Sequence, residues 1–358
     1  MKISIKRVIN ICLIVFSVFG TTSACIMKPT TNISSPSNTS TSTSTLNPIV
    51  IPPTHVGEPI AWAIAATPDG DLWFTEMNTN NVGEFSPATG KITEYNVPTA
   101  NAYPHGIVLG PDGNLWFTEP SGDKIGKISP TTGSITEYSI PTANAGPFGI
   151  TAGPDGNLWF TEITKTNGIG KISPTTGKMT EYALPTANAG PSGITTGPDD
   201  NIWFTESYVN QIGKISPITG KISEYSIPAA NTEPNGLTAG PDGDLWFTEI
   251  DGIGIGKISS VTGEVTEYSV STTNAGPYSI TAGSDSNLWF TQFQEDQIGK
   301  ISPSTSIITE YNVPTADAGP YSIIMGPDYN LWFTELNQNK ISKISLATGI
   351  ITEYALDN

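Results

Sequence analysis

The chain has 358 residues and a net charge of −17, from 33 acidic side chains against 16 lysines and arginines. That balance repels phosphate and excludes nucleic acid as a partner, leaving cations, neutral ligands and cell-wall polycations open. The two cysteines, Cys12 and Cys25, lie close to the N-terminus, so disulfides and thiolate metal sites are excluded from the rest of the chain.

Lys2, Lys6 and Arg7 precede an apolar run from Val8 to Phe19, and Thr22-Ser23-Ala24 leads into Cys25. This is the pattern of a secretory signal over residues 1–25. Small residues before a cysteine also match a bacterial lipoprotein processing site, although Thr22 stands where leucine is usual. Lipidation of Cys25 is the first reading; cleavage after Ala24 and an uncleaved N-terminal anchor are the alternatives. Residues 26–53 are rich in Ser, Thr and Pro, a composition that buries no core and suits a tether. The expected location is extracytoplasmic, held to the bacterial membrane through an N-terminal lipid anchor only, or secreted. Removal of Lys2, Lys6 and Arg7, the only arginine, takes the net charge to −20.

Residues 54–358 repeat one motif, an aliphatic residue followed by Trp-Phe-Thr and an acid or amide. Its tryptophans are Trp73, Trp116, Trp159, Trp203, Trp246, Trp289 and Trp332, at steps of 43 or 44 residues. A period of this length predicts an all-β, seven-bladed β-propeller of four-stranded antiparallel blades.

Within one repeat, Gly149 to Gly153 reads as an inner strand, because only small or β-branched residues fit where blades converge. Pro154-Asp155-Gly156-Asn157 is a tight turn. Leu158 to Thr161 is the second strand, with Leu158 and Phe160 on one face and Trp159 on the other. A sheet apolar on both sides must be sandwiched, as a blade is. Gly168 to Ser173 is the third strand, Pro174 to Gly177 a turn, and Met179 to Leu184 the outer strand with its Glu-Tyr pair. Blade seven supplies its own outer strand, Ile350 to Leu356. Leu46 to Pro52 is either an extra edge strand or the end of the tether. A closed ring needs no partner to cover an edge, which fits a monomer.

Equivalent positions that vary between blades are where function concentrates. The residue after the proline that opens most inner strands is, around the ring, Trp62, His105, Phe148, Ser192, Asn235, Tyr278 and Tyr321. Four are aromatic, and together they line one mouth of the channel. Such a mouth suits a sizeable amphipathic ligand, or simply a plug. A second set ends the Trp-Phe strand on that face: Glu76, Glu119, Glu162, Glu206, Glu249, Gln292 and Glu335. It predicts a negative rim, in which these residues either serve the repeat or bind a divalent cation. The only histidines are His55 and His105, which excludes a multi-histidine zinc site and leaves His105 alone in the ring. The Pro-Asp-Gly turns resemble fragments of calcium loops, but turns of this kind, each with its aspartate, recur in all seven blades.

The segments Gly-Pro-Asp-Gly-Asn-Leu-Trp-Phe-Thr-Glu over 110–119, Lys-Ile-Gly-Lys-Ile over 124–128, Ile-Thr-Glu-Tyr over 135–138 and Pro-His-Gly-Ile over 104–107 resemble the virginiamycin B (streptogramin) lyases, across all seven blades. The resemblance implies a carbon–oxygen lyase that opens cyclic depsipeptide lactones by Mg²⁺-assisted elimination. A histidine in a Glu-Pro-His-Gly motif removes the proton α to the ester carbonyl, and the metal steadies the enolate. The match places His105 at the base position; the lyase reading adds Glu119 as its catalytic partner, with Glu119 and either Glu76 or Glu162 as metal ligands. Tyr103, however, stands where the motif has glutamate, and Trp62 where the preceding blade has a second histidine. Conversely, Glu233 matches the glutamate of a motif whose histidine is replaced by Asn235. Three readings follow. One is a lyase using His105, and another is a non-catalytic propeller that binds a small cyclic peptide, glycan or cell-wall ligand at Trp62, Phe148, Ser192, Asn235, Tyr278, Tyr321 and Glu233. The third is a metal-assisted hydrolase with oxygen ligands from Ser192, Asn235 and Glu206.

Overall fold

The structure, a computed structural model, describes residues 59–164, 167–252, 254–272 and 275–356. The signal, Cys25, the tether, the Leu46 to Pro52 segment and His55 lie outside them. From Ala61 the chain forms seven four-stranded antiparallel sheets, as the repeat predicts. The blades span Ala61–Asn96, Ile107–Ser139, Pro147–Ala183, Pro191–Ser226, Pro234–Ser269, Pro277–Asn312 and Pro320–Ala355.

Blade three is representative. Its strands are Pro147–Ala152, Leu158–Glu162, Gly168–Ile172 and Met179–Ala183, each paired with the next. The turn between the first two is closed by Gly156 at φ 73°, a left-handed position that glycine adopts without strain. Asp200 takes the same conformation in blade four, which is why a Pro-Asp-Asp turn can replace Pro-Asp-Gly there.

Each interface joins the Trp face of one blade to the aliphatic-Phe face of the next. Trp159 and Ile169 of blade three pack with Ile202, Phe204 and Ile215 of blade four, all fully buried. The same arrangement closes the ring, with Trp332 and Ile341 of blade seven against Leu72, Phe74 and Phe85 of blade one. Among the described residues each blade, the last included, is built from four consecutive strands. Large side chains fill the wedge between radial sheets, and glycine in the third strand makes room for them. A Cβ on Gly213 would lie 2.0 Å from the Phe204 ring.

The Pro-Asp-Gly turns have a structural explanation. Asp112 Oδ1 accepts a hydrogen bond from Trp116 Nε1 at 2.9 Å, Lys127 Nζ lies 5.3 Å from the indole centroid, and Tyr138 stacks on the same ring. Bonds from Trp116 and Asn114, with Lys127 nearby, outweigh burial and hold the Asp112 carboxyl below its ordinary range. The corresponding Trp–Asp bond recurs in blades three to seven.

Candidate functional site

The mouth is built by a threonine that the motif repeats. In most blades the inner strand slips register near its start, and the ring residue sits at that bulge, opposite the Thr of Trp-Phe-Thr. The threonine hydroxyl accepts from the backbone N–H just after its own blade's ring residue, at 2.8 to 3.2 Å. It donates to the carbonyl of the next blade's ring residue, at 2.6 to 3.0 Å. All seven threonines do this, and Thr334 to Trp62 O, at 2.9 Å, joins the last blade to the first. A closed circle of hydrogen bonds therefore sets the height and orientation of every ring residue.

Side-chain staples position the loops that lead into the ring. Asn80 Oδ1 accepts from Ala102 N at 2.7 Å, while its Nδ2 donates to Thr99 O at 2.9 Å, fixing the approach to Tyr103-Pro104-His105. Glu137, of the Glu-Tyr pair, accepts from the Thr99 N–H and hydroxyl, both at 2.8 Å, and pairs with Lys124 at 2.7 Å. Glu224 grips Thr186 in the same way. The residue before the ring proline is left-handed, and is glycine at 146, 190, 276 and 319 but Tyr103 (φ 55°) and Glu233 (φ 49°) in blades two and five. Bulky residues in that conformation are held by their surroundings, a form of strain concentrated at functional loops.

The seven ring residues come together at one end of the channel. His105 stacks on Phe148 at 3.8 Å between centroids, Trp62 lies 6.0 Å from His105, and Tyr321 meets Trp62 edge-on at 5.2 Å. Tyr321 donates its hydroxyl to that of Tyr278 at 2.6 Å, and their rings stack at 4.1 Å. Ser192 donates to Asn235 Oδ1 at 2.6 Å, and Asn235 Nδ2 donates to Tyr278 O at 3.1 Å. The mouth thus has an aromatic arc from Tyr278 through Trp62 to Phe148, and a polar arc at Ser192 and Asn235. Glu233 stands beside the polar arc, its carboxyl pushed up by burial and by the neighbouring Asp251.

His105 is 6% exposed and has no hydrogen-bond partner at either ring nitrogen. Burial lowers its pKa to about 4, against the nearby Phe148 backbone, which favours the charged form without making a well-aligned bond, so the imidazole is neutral at pH 7. Glu119 has neighbours of its own. That carboxyl faces Glu137 and Lys124 of its own blade and packs over Gly122.

The strand-end acids do not form a negative rim, because they are buried. Burial and then Glu137 push Glu119 up to about 8; burial and then Glu224 do the same to Glu206. Glu76 and Glu335 rise to about 7, mainly through burial, although Thr79 and Ser342 donate to them. Two carboxylates have no donor between them, and one proton turns the contact into a hydrogen bond. Blade six makes that bond permanently, with Gln292 Nε2 donating to Glu310 at 3.0 Å.

Magnesium requires several oxygen ligands around one point. Glu76, Glu119 and Glu162 end the second strands of three different blades, each lying within its own blade. No group of three or more His, Cys, Asp or Glu among the described residues is placed to hold one ion. These three residues do not fit a shared magnesium site. Nor does Glu206 join Ser192 and Asn235, since it is turned toward Glu224.

A family model described as the virginiamycin B lyase family matches residues 48–175 and 164–358. Among solved structures, a streptogramin B lyase is similar at 41% identity with a TM-score of 0.73, covering 79% of this chain and 91% of that one. Selenomethionine-substituted virginiamycin B lyase from Staphylococcus aureus is similar at 39% identity and TM-score 0.74, covering 80% and 94%. A catalytically inactive histidine-to-alanine variant of virginiamycin B lyase from that organism, with quinupristin, is similar at 40% and 0.75, covering 80% and 95%. A search of the curated proteins finds no match.

Proposed function

Because this chain belongs to the virginiamycin B lyase family, we propose that it is an extracytoplasmic propeller that binds an amphipathic, cyclic-peptide-like ligand at the channel mouth without the family's assembled catalytic set. The observation that carries this reading is the convergence of seven unlike side chains, aromatic on one arc and polar on the other, on a single opening. Rigid elements present them, which suits recognition. Against catalysis stands the engagement of Glu119 with Glu137 and Lys124, and the presence of Trp62 and Asn235 where histidines would complete the set.

Titration calorimetry with quinupristin tests it: heat of binding that weakens in Trp62→Ala and Tyr321→Ala supports the reading. Binding unaffected by either change, or no binding, contradicts it. We place the domain on the outer side of a bacterial membrane, as a monomer tethered by a lipid on Cys25. The signal and the Ser/Thr/Pro-rich stretch support this. Radiolabelled palmitate should enter the wild type and not Cys25→Ala; equal labelling would refute the anchor.

A second reading is favoured by one observation, the neutral imidazole of His105 with both nitrogens unpartnered at the mouth. In it His105 removes a proton from the carbon next to the one that bears the ester oxygen of a bound lactone, a C=C bond forms as that C–O bond breaks, the carboxylate leaves, and the chain acts as a carbon–oxygen lyase. Mass spectrometry of quinupristin incubated with the protein decides between them. A linearised product that is formed by the wild type and not by His105→Ala selects the lyase.

A further inference from the structure

Trp62 differs from the tryptophans of the frame. Trp116, Trp159, Trp203, Trp246, Trp289 and Trp332 each donate the indole N–H to the Asp of their own turn. Trp62 is 1% exposed, and its Nε1 has no partner. Beside it, both ring nitrogens of His105 are buried and unpartnered. An unmade bond at a buried polar atom costs stability, and native proteins pair nearly all such atoms. Phenylalanine or leucine would plug the mouth without that cost, so three unmade polar atoms on adjacent side chains point to a ligand.

Phe148 lies over the His105 member of this pair. Its ring is half-buried and lies on the imidazole at 3.8 Å and 27°. The next ring residue, Ser192, has its hydroxyl turned away to Asn235.

We propose that Trp62 and His105 form a concealed hydrogen-bonding pair for the acyl group of an amide or ester carried next to an aromatic ring, and that Phe148 is the movable cover whose place on the imidazole the ligand's ring takes. The proposal rests on the reading that the mouth binds a ligand, and names the chemistry it selects. An indole N–H only donates, so it requires an acceptor such as a carbonyl oxygen. A neutral imidazole offers one donor and one acceptor, which matches a second bond to that carbonyl or a bond from an amide N–H. An ionised carboxylate is disfavoured, since neither side chain would supply a counter-charge in a buried position.

Two probes test this with the folded propeller labelled with ¹⁵N at tryptophan. Adding N-acetyl-phenylalaninamide should shift the Trp62 indole resonance, identified by its loss in Trp62→Phe, and leave the six Asp-bonded indoles in place. Phe148→Ala should tighten amide binding about fivefold by removing the cover, and His105→Ala should weaken it about tenfold, the size of one hydrogen bond. A Trp62 resonance unmoved up to the solubility limit of the amide, or unchanged affinity in Phe148→Ala and Trp62→Phe, would overturn the pair. Quinupristin separates the two levels. Equal binding by wild type and Trp62→Phe removes this pair and leaves the mouth as the site, whereas binding of neither probe removes both.

Discussion

At the seven blade interfaces one set of side chains is used over and over, while at the mouth no residue type except tyrosine appears twice. The interface tryptophans and phenylalanines are fully buried in every blade, each in the same relation to its neighbour. Around the opening, Trp62, His105, Phe148, Ser192, Asn235, Tyr278 and Tyr321 hang from identical backbone positions, fixed by identical threonine bonds. Repetition sets where a side chain stands, and departure from repetition sets what it can hold. The two regions should therefore respond differently to substitution.

The largest effect is expected at the interfaces. Trp159→Ala and Trp203→Ala should each cost about 3–5 kcal/mol of stability, as large core truncations do, with nearly equal values in the two blades. Trp62→Phe should cost far less and act on binding instead. Calorimetric unfolding would break the contrast if the two interface variants differed several-fold, or if Trp62→Phe unfolded the protein. Next is the threonine circle. Thr205→Val removes a donor to Asn235 O and an acceptor for Gly193 N, and should cost about 1–3 kcal/mol while weakening ligand binding. A destabilised variant with unaltered affinity would show that the circle does not position the mouth.

A pH effect follows from the buried acids. Glu119 and Glu206 at about 8, and Glu76 and Glu335 at about 7, lie above their ordinary 4.5. The folded state therefore holds more protons than the unfolded chain between these limits, and stability falls as pH rises from about 5 to 9. The smallest effect is predicted for Glu119→Gln, which copies Gln292 of blade six. It should be near neutral at pH 5 and stabilising at pH 9, visible as a flatter melting temperature against pH. A variant destabilised at both pH values would show that Glu119 does not carry the proton.

The ring of blades was legible because each blade repeats a local pattern: the alternation in Leu158-Trp159-Phe160, the left-handed turn at Gly156 and the Glu-Tyr outer strand. The ring positions were legible too, since variation against a fixed background marks them. The role of the threonine was hidden for the opposite reason, because an unvarying residue gives no contrast, and its partner lies one blade away. The burial of Glu119 was also hidden. It depends on a diagonal neighbour, Glu137, two strands away across Gly126, whereas sequence alone placed it simply at a strand end. Likewise, Thr118 turns its hydroxyl to the Phe148 carbonyl of the next blade, and alternation sends the Glu119 side chain to the other face of the sheet.

A crystal structure of the propeller soaked with quinupristin tests the central claim most directly. Density for the ligand over Trp62, His105 and Tyr321, with Phe148 displaced, is the predicted result. Ligand seated on the opposite face or between blades, with the seven mouth side chains unmoved, would contradict it.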